Sequence, residues 1–315
     1  MSDFEHISVL PNEVIDALNI KPGGIYVDGT LGGGGHSSLI MQELTTGKLI
    51  GIDRDQSAIN AATEKIRKQN AEKNFVAVRG NFHELPNILD ELGYKEGTIS
   101  GILLDLGVSS HQIDTAERGF SFRNDGPLDM RMDKDSALSA RDVINTYTEN
   151  ELIKIFFEYG EERYSKKIAR RICAERDISP IETTLRLAEI IEKSVGAVSR
   201  KGVPHPAMRT FMALRIAVND ELSPLADALR CGVRFLTKGG RIAVISFHSL
   251  EDRIVKTTFA KLASPCECPR DIPYCSCGKV ADLRVVTRKP ITPSDDELLA
   301  NSRAHSAKLR CAEKI

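Results

Sequence analysis

The sequence feature that most constrains the fold is an alternation, through the first third of the chain, of short β-branched apolar runs with segments of helical periodicity. The apolar runs predict strands at 25–28, 48–53, 75–79 and 99–106. Helices are predicted between them, beginning near His36, Asp55 and His83. Strands that alternate with helices form a parallel sheet covered by helices, so the sequence predicts a doubly wound α/β domain.

The alternation stops after Leu106. Residues 107–135 form a polar stretch with little periodicity, and residues 140–199 are helical in character throughout. In this region Thr148 and Glu151 predict a helix-capping box, followed by an apolar stripe of Leu152, Ile155, Phe156 and Tyr159.

The α/β pattern then returns, with predicted strands at 241–246, 283–287 and 306–312. We therefore expect an all-helical domain, residues 113–205, inserted into an α/β domain. The α/β domain would be formed by residues 1–112 and 206–315.

The overall charge limits how the chain could bind a polyanion. Its 43 Lys and Arg balance 44 Asp and Glu, for a formal net charge of −1, so a nucleic-acid site must be a local basic patch. No apolar run reaches the ~18 residues of a membrane span. Acidic residues (Asp3, Glu5, Glu13) stand where a secretory signal would be basic and then apolar. The sequence predicts a cytoplasmic protein.

A glycine run follows the first predicted strand. Asp28 ends the strand, four glycines (Gly32 to Gly35) follow in the turn, and a helix begins near His36. Glycine lets the backbone approach a ligand closely at this edge of such a sheet. The run lacks the G-x-G-x-x-G register of dinucleotide sites and the Lys of a P-loop. Asp28 would repel phosphate but suits an ammonium group.

A second carboxylate indicates a nucleoside. Asp53 ends the second predicted strand, about 20 residues after the glycine run, where a carboxylate can bind ribose hydroxyls. A nucleoside with an ammonium group and no phosphate describes S-adenosylmethionine. The alternative is that Asp28 and Asp53 only terminate strands and the glycines only form a turn.

Five long motifs resemble, in this order, those of the bacterial 16S ribosomal RNA cytosine methyltransferases of the RsmH (MraW) family, and the similarity covers nearly the whole chain: VDGTLGGGGHS, LLDLGVSSHQIDTAERGFSFRNDGPLDMRMD, HPAMRTFMALRIAVNDEL, GGRIAVISFHSLEDRIVK and RKPITPSDDE. The resemblance implies a class I (Rossmann-like) S-adenosylmethionine-dependent methyltransferase domain with an inserted all-helical domain. It also implies a cytoplasmic enzyme that methylates the exocyclic 4-amino group of a cytosine in the decoding region of 16S rRNA in the small ribosomal subunit.

The matching motifs also imply cofactor contacts. These fall on Gly34, Gly35, His36, Asp53, Phe82, Asp105 and Gln112, to which the charge argument above adds Asp28. From the residues alone, an isolated Phe such as Phe82 more often belongs to the core, and Gln112 would by default be an exposed loop residue.

Methyl transfer to an aromatic amine needs precise positioning and an acceptor for an amine hydrogen. Many amino-methyltransferases carry an Asp/Asn-Pro-Pro-aromatic motif after the fourth strand, whereas this chain has DLGV from Asp105 onward. We expect Asp105 to be the acceptor, with Asn219 and Asp220 as weaker candidates. His248, after the fifth predicted strand, is either a proton shuttle or a helix-start residue that bonds to the backbone.

Two basic segments are candidates for RNA contact. The first has Lys and Arg at helical spacing on one face, with Tyr164, Ile168 and Ile172 on another. The second, from 193 to 215, contains five Lys or Arg and no acid. The predicted RNA contacts are Arg163, Lys166, Lys167, Arg170, Arg200, Lys201 and Arg209. The alternative for the first segment is a solvated face neutralised by Glu161 and Glu162.

The seven cysteines do not suggest a disulfide framework, because the number is odd and three stand alone: Cys173, Cys231 and Cys311. The other four form two C-x-C pairs: Cys266, Cys268, Cys275 and Cys277. Four thiolates suit a structural zinc ion, but common zinc fingers use C-x₂-C spacing. The resemblance adds no metal role, so the sequence assigns no metal ligand and zinc stays an open alternative.

Two other function classes are open from the residues alone. A nicotinamide-dependent oxidoreductase could use this fold, although the glycine register disfavours it. A ribosome-assembly factor without catalytic activity could keep the fold as an RNA-binding scaffold. The sequence is compatible with a homodimer.

Overall fold

The computed structural model describes residues 8–196, 205–269, 274 and 276–315, with the side chain of Ser110 left out. The chain forms two compact units. The sheet unit contains the chain as far as Gly107 together with Leu222–Ile315, and the helical unit spans Val108–Glu221. Each unit is described by itself.

A seven-stranded sheet organises the described part of the sheet unit. Its strands are β1 (Ile25–Asp28), β2 (Lys48–Asp53), β3 (Phe75–Arg79), β4 (Ile99–Asp105), β5 (Leu236–Ser246), β6 (Leu283–Val285) and β7 (Lys308–Lys314). The spatial order is β3-β2-β1-β4-β5-β7-β6. Strands β1 to β5 are parallel, and β7 runs antiparallel to both β5 and β6. The predicted Rossmann-like α/β fold is confirmed.

Helices connect and cover these strands. In the sheet unit the chain first forms α1 (Pro11–Leu18), α2 (Gly35–Glu43), α3 (Gln56–Arg67) and α4 (Leu85–Glu91). The helical unit contains α5 (Ser110–Asp114), α6 (Ala140–Thr146), α7 (Glu149–Glu158), α8 (Ser165–Arg176), α9 (Thr184–Val195) and α10 (Ala207–Asn219). The sheet unit ends with α11 (Leu225–Phe235), α12 (Ser249–Ala263) and α13 (Asp295–Ala300). None of the described helices has the length and apolar character that crossing a membrane would require.

Apolar side chains pack on both faces of the sheet. Val27 and Leu104 point to one face, which α4, α11 and α12 cover. Tyr26 and Leu103 point to the other, which α1 and α2 cover. Successive strand residues alternate between the faces, and each fully buried apolar side chain contributes about 1.5–3 kcal/mol. This packing fixes the strand ends that carry the candidate site.

The helical unit has an apolar core of its own. The capping box is confirmed, because the Thr148 side chain accepts the Glu151 amide while Glu151 reaches back to the Thr148 amide. Leu152, Ile155 and Phe156 are buried in this core, beside a half-buried Tyr159.

The unit boundaries differ from the predicted 113 and 205. The helical unit runs from Val108 to Glu221, because α10 packs Phe211 and Leu214 into the helical core. Leu128, within the polar stretch that showed no periodicity, joins the same core.

Some element bounds also differ from the sequence prediction. Strand β5 begins at Leu236 rather than at 241, and β7 runs from Lys308 to Lys314 rather than from 306 to 312. The helix predicted near His83 starts as a short 3-10 turn, Phe82–Glu84, and α4 proper begins at Leu85, just before a proline.

Candidate active site

Three neighbouring parallel strands each end in an aspartate. Asp28 ends β1, Asp53 ends β2 and Asp105 ends β4. Strand order reverses between β1 and β4, since β2 and β3 lie on one side of β1 and β4 and β5 on the other. Sheets of this kind bind ligands at such a reversal, in the crevice at the carboxyl ends of the strands.

The Asp28 carboxylate stabilises the glycine-rich turn through hydrogen bonds. It is 1% exposed; its Oδ2 accepts a hydrogen bond from Ser37 Oγ at 2.7 Å and its Oδ1 accepts the Thr30 amide at 3.2 Å. Burial raises the pKa of Asp28, and the Ser37 hydroxyl offsets this in part. The carboxylate is therefore committed to the turn, and its role toward an ammonium group stays a prediction.

The glycine turn lies directly against α3. Gly34 has a φ of +72°, and a methyl group there would lie 2.8 Å from the Ala62 Cβ. A larger residue would therefore be strained in its backbone and would also collide with the helix. Gly35 then begins α2.

Asp53 ties the glycine turn to the end of β2. Its Oδ2 accepts the Gly32 amide and its Oδ1 accepts the Asp55 amide, both at 2.8 Å. Burial raises the pKa of Asp53, while the two amides lower it. Each carboxylate oxygen has a second lone pair. The half-buried Asp53 can therefore accept further hydrogen bonds, as the ribose assignment requires.

Phe82 lies beside the same edge of the sheet. It follows β3, opens the 3-10 turn capped by Asn81, and is half-buried. A methyl group on Gly29 would lie 3.1 Å from the Phe82 Cβ and 2.5 Å from the Leu104 Cδ2. The structure thus brings Phe82 next to the ends of β1 and β4, although its contact with a cofactor stays a prediction.

Asp105, at the end of β4, also has a carboxyl group perturbed by its surroundings. Its Oδ2 lies 3.5 Å from His36 Nδ1, and its Oδ1 is buried without a hydrogen-bond partner among the described residues. The pKa of Asp105 is raised to about 6, mainly because the carboxyl group is buried. The nearby His36 partly offsets this rise, and the charges of Asp28 and Glu251 contribute to it. A carboxylate with a pKa near neutrality can exchange a proton during a reaction.

The imidazole of His36 is held in one orientation. Its Nε2 lies 2.8 Å from the Val9 carbonyl oxygen, and since a carbonyl only accepts, Nε2 carries the hydrogen. In the neutral ring, Nδ1 then has a lone pair 3.5 Å from Asp105 Oδ2. The His36 Nδ1 lone pair and the Asp105 carboxylate therefore face each other at the end of β4.

The remaining predicted cofactor and catalytic residues lie in the helical unit. Gln112 is buried there and completes a capping box of α5, since its Oε1 accepts the Ser109 amide at 3.0 Å. Asn219 binds backbone, accepting the Met132 amide and donating to the Met130 carbonyl, both at 2.8 Å. Asp220 is exposed at the left-handed residue that ends α10. These contacts give Asn219 a structural role within its unit.

His248 is a helix-start residue. It is the N-cap of α12, where its Nδ1 accepts the Glu251 amide at 3.4 Å and Glu251 reaches back to the His248 amide. Of the two interpretations of His248, the backbone-bonded one is confirmed.

The first basic segment forms an exposed surface, which we call the α8 surface and define as Arg163, Lys166, Lys167 and Arg170. Arg170 lies 3.8 Å from Glu149, whereas Glu162 is buried and accepts the Tyr164 amide. Glu162 is therefore not a solvated counter-charge for this surface. Ile168 and Ile172 are buried, whereas Tyr164, which immediately precedes α8, is 54% exposed and does not share their buried face.

The second basic segment is only partly described. Arg200 and Lys201 lie outside the described residues. Arg209 is exposed on α10 and donates to the Glu161 carbonyl. Arg215 is paired with Glu221 at 2.9 Å, so it is a structural residue of the helical unit.

Sequence reasoning missed the pairing of His36 with Asp105 and the Val9 carbonyl that orients His36. Val9 lies 27 positions from His36, and no periodicity connects them. The glycine run was the available signal, because it places the first turn of α2 at the same edge as the strand ends.

Comparison with known proteins identifies the family of this chain. A model of the MraW methylase family matches residues 3–315. The ribosomal RNA small subunit methyltransferase H of Geotalea uraniireducens (strain Rf4) is 54% identical over 100% of both chains. The enzyme of the same name from Heliobacterium mobile is 52% identical over 99% of this chain and 100% of its own. A structure of geranyl diphosphate methyltransferase with SAM covers 97% of this chain and 84% of its own at 10% identity, with a TM-score of 0.41. Because the family model spans almost the entire length, this chain belongs to the MraW methylase family.

Proposed function

We propose that this protein transfers a methyl group from S-adenosylmethionine to the exocyclic 4-amino group of a cytosine in the decoding region of 16S rRNA. The observation that carries the chemical part is Asp105, a strand-end carboxylate with a pKa of about 6 beside His36. The rRNA substrate rests on the family and on the names of relatives that are more than half identical over their full length.

The residues present fit the cofactor. When bound, S-adenosylmethionine supplies an electrophilic methyl group on a positively charged sulfur. Asp53 would accept hydrogen bonds from the ribose, and the Gly34–Gly35 backbone would allow close approach. Phe82 would cover an adenine face. The carboxylates of the buried Asp28 and the partly exposed Asp105 make the edge electronegative, which favours a cation over a phosphate.

Asp105 and His36 would handle the proton that the amine loses. The Asp105 carboxylate accepts a hydrogen bond from the amino group, which orients the nitrogen, and then takes its proton. The His36 Nδ1 lone pair, 3.5 Å from Oδ2, provides a second place for that proton. The Val9 carbonyl keeps the imidazole in the required tautomer.

RNA contact would use the helical unit. The α8 surface and Arg209 present exposed cations that can bind phosphates, and Arg200 and Lys201 belong to the same proposal. The target base must be unstacked to reach a crevice at a sheet edge, so a single-stranded region is the expected substrate. Because ribosomal RNA is assembled into subunits in the cytoplasm of bacteria, we propose that the enzyme acts there.

The experiment is transfer of labelled methyl from S-adenosylmethionine to small ribosomal subunits that lack the modification, and in parallel to naked 16S rRNA. The product RNA is digested to nucleosides, and the labelled nucleoside is identified. We expect label in 4-amino-methylated cytidine. Label in another nucleoside would overturn the assigned target. Tight cofactor binding with no transfer to either substrate would favour the assembly-factor function.

A further inference from the structure

The structure brings together a cysteine cluster that the proposed function does not use. In the sheet unit, the Sγ atoms of Cys266, Cys268 and Cys277 all lie within 4.8 Å of one another. None of the three forms a disulfide. A tetrahedral zinc ion with Zn–S bonds of ~2.3 Å requires sulfur atoms roughly 3.8 Å apart. The three sulfur atoms are therefore already close to the spacing that a zinc ion needs.

Hydrogen bonds join the two C-x-C pairs. The Ser276 amide donates to Cys268 Sγ at 3.4 Å, and the Ser276 hydroxyl lies 3.7 Å from the same sulfur. Backbone N–H groups that point at sulfur stabilise the thiolate form, which is the form that ligates a metal. Lys279 also pairs with Glu267 at 2.5 Å, and this second link crosses between the two pairs. Hydrogen bonds to the Cys268 sulfur and an ion pair between flanking side chains thus hold the two pairs together.

The described residues of the segment that carries the cluster form no apolar core of their own. It connects the end of α12 at Ala263 to the start of β6 at Leu283. No described residue between these two ends is buried, and Tyr274 and Val280 are more than 80% exposed. The Asp282 amide donates to the Leu262 carbonyl at 2.9 Å, and this hydrogen bond joins the two ends of the segment. A long segment whose described side chains are all at least partly exposed is the kind of element that a structural metal stabilises.

We propose that Cys266, Cys268 and Cys277 bind one structural zinc ion. Thiolate ligands are soft, which favours zinc over magnesium or calcium. Each thiol loses its proton on binding, so zinc uptake releases protons and strengthens as the pH rises. The sequence offers Cys275 for the fourth position; it lies outside the described residues, and the experiment tests it separately.

The test begins with the full-length chain, purified without a metal-binding tag or chelator and under reducing conditions. Elemental analysis should find about one zinc per chain, as expected for a closed thiolate site. Replacing zinc by cobalt should give thiolate-to-cobalt charge-transfer absorption and the intense visible bands of a tetrahedral site. A fully reduced chain that binds no zinc, or that holds iron or copper instead, would overturn the proposal.

Variants then locate the site. Cys266→Ser and Cys277→Ser should each lower the zinc content at least tenfold after dialysis, whereas Cys231→Ser on α11 removes a thiol outside the cluster and should leave it unchanged. Retained zinc in both cluster variants would contradict the assignment. Cys275→Ser distinguishes a fourth thiolate, which would lower the zinc content, from a non-cysteine fourth ligand, which would not. S-adenosylmethionine binding by each variant checks that the sheet unit is folded.

Discussion

The carboxyl edge of the sheet and the α8 surface use charge in opposite ways. At the sheet edge, Asp28, Asp53 and Asp105 lie in or near the core, and most of their oxygen atoms accept hydrogen bonds from within the unit. On the α8 surface, side chains such as Lys166 and Lys167 are exposed, and no described acid pairs with either of them. A buried carboxylate depends on its particular hydrogen bonds and neighbours, so one substitution at the sheet edge should change activity or cofactor binding strongly. Exposed lysines and arginines attract RNA through their total charge, so one substitution on the α8 surface should change RNA affinity only slightly.

The largest effect is expected for Asp105→Asn. The amide cannot take the amine proton, so kcat at saturating S-adenosylmethionine should fall by about 100- to 10,000-fold. In the wild type, kcat/KM should fall as the pH drops below about 6, because Asp105 is then protonated. Single-turnover assays with small subunits measure both. A kcat within a few-fold of wild type would show that another group accepts the proton.

Asp53→Asn tests whether the sheet edge binds the cofactor. The new amide places a donor against the Gly32 or Asp55 amide and weakens the acceptor for ribose. The Kd for S-adenosylmethionine should rise about 10- to 100-fold, as expected when a hydrogen bond to a charged group is lost. Calorimetric titration measures it, with Asp90→Asn, an exposed carboxylate of α4, as the matched control. Equal affinities for wild type and Asp53→Asn would remove the ribose contact.

Asp105→Asn should also stabilise the fold. The pKa of Asp105 is about 6 in the folded chain against an ordinary 3.8, so its ionisation disfavours folding. We expect the free energy of unfolding at neutral pH to rise by about 1–2 kcal/mol, less than the full shift implies because the side chain is 21% exposed. The gain should fade as the pH falls from about 6 to about 4, since the wild-type carboxyl is then protonated in both states. Denaturant titrations at several pH values would show it; a pH-independent difference would contradict it.

The α8 surface should show the smallest effects. Lys166→Gln with Lys167→Gln should raise KM for rRNA by about 3- to 10-fold and lower the salt slope of binding by about one to two, without changing kcat. Lys154→Gln, an exposed lysine of α7 in the same unit, is the control. A double variant that matches this control in KM and in salt slope would exclude the α8 surface from the RNA interface.

The sequence predicted the sheet edge well because strand ends follow from local patterns. Apolar runs that end in Asp28 and Asp53, and a glycine turn between them, are visible without tertiary information. Asp105 was found the same way. The contact of Asp105 with His36 was not predicted, because that contact and the link of His36 to Val9 depend on how distant segments pack.

The helical unit was harder to delimit for a related reason. Leu128 sits in a polar stretch without periodicity, and only the folded core shows that it is buried. Asn219 was chosen for its chemistry, yet its amide binds the backbone around Met130 and Met132. A side chain that can hydrogen-bond a substrate can equally hydrogen-bond its own chain, and sequence does not distinguish the two.

The position of the helical unit in the chain has a consequence for synthesis. Strand β4 pairs with β5 through Ile99 and Leu236, so the ribosome completes the whole helical unit before β5 emerges. Until then β4 is an unpaired edge of an unfinished sheet, although the three strand-end aspartates have already been made. Rapid local folding of the helices shortens the flexible chain that must close before β5 can pair. We therefore expect the three strand-end aspartates to be synthesised early, but the sheet edge that carries them to become stable only after β5 has paired with β4.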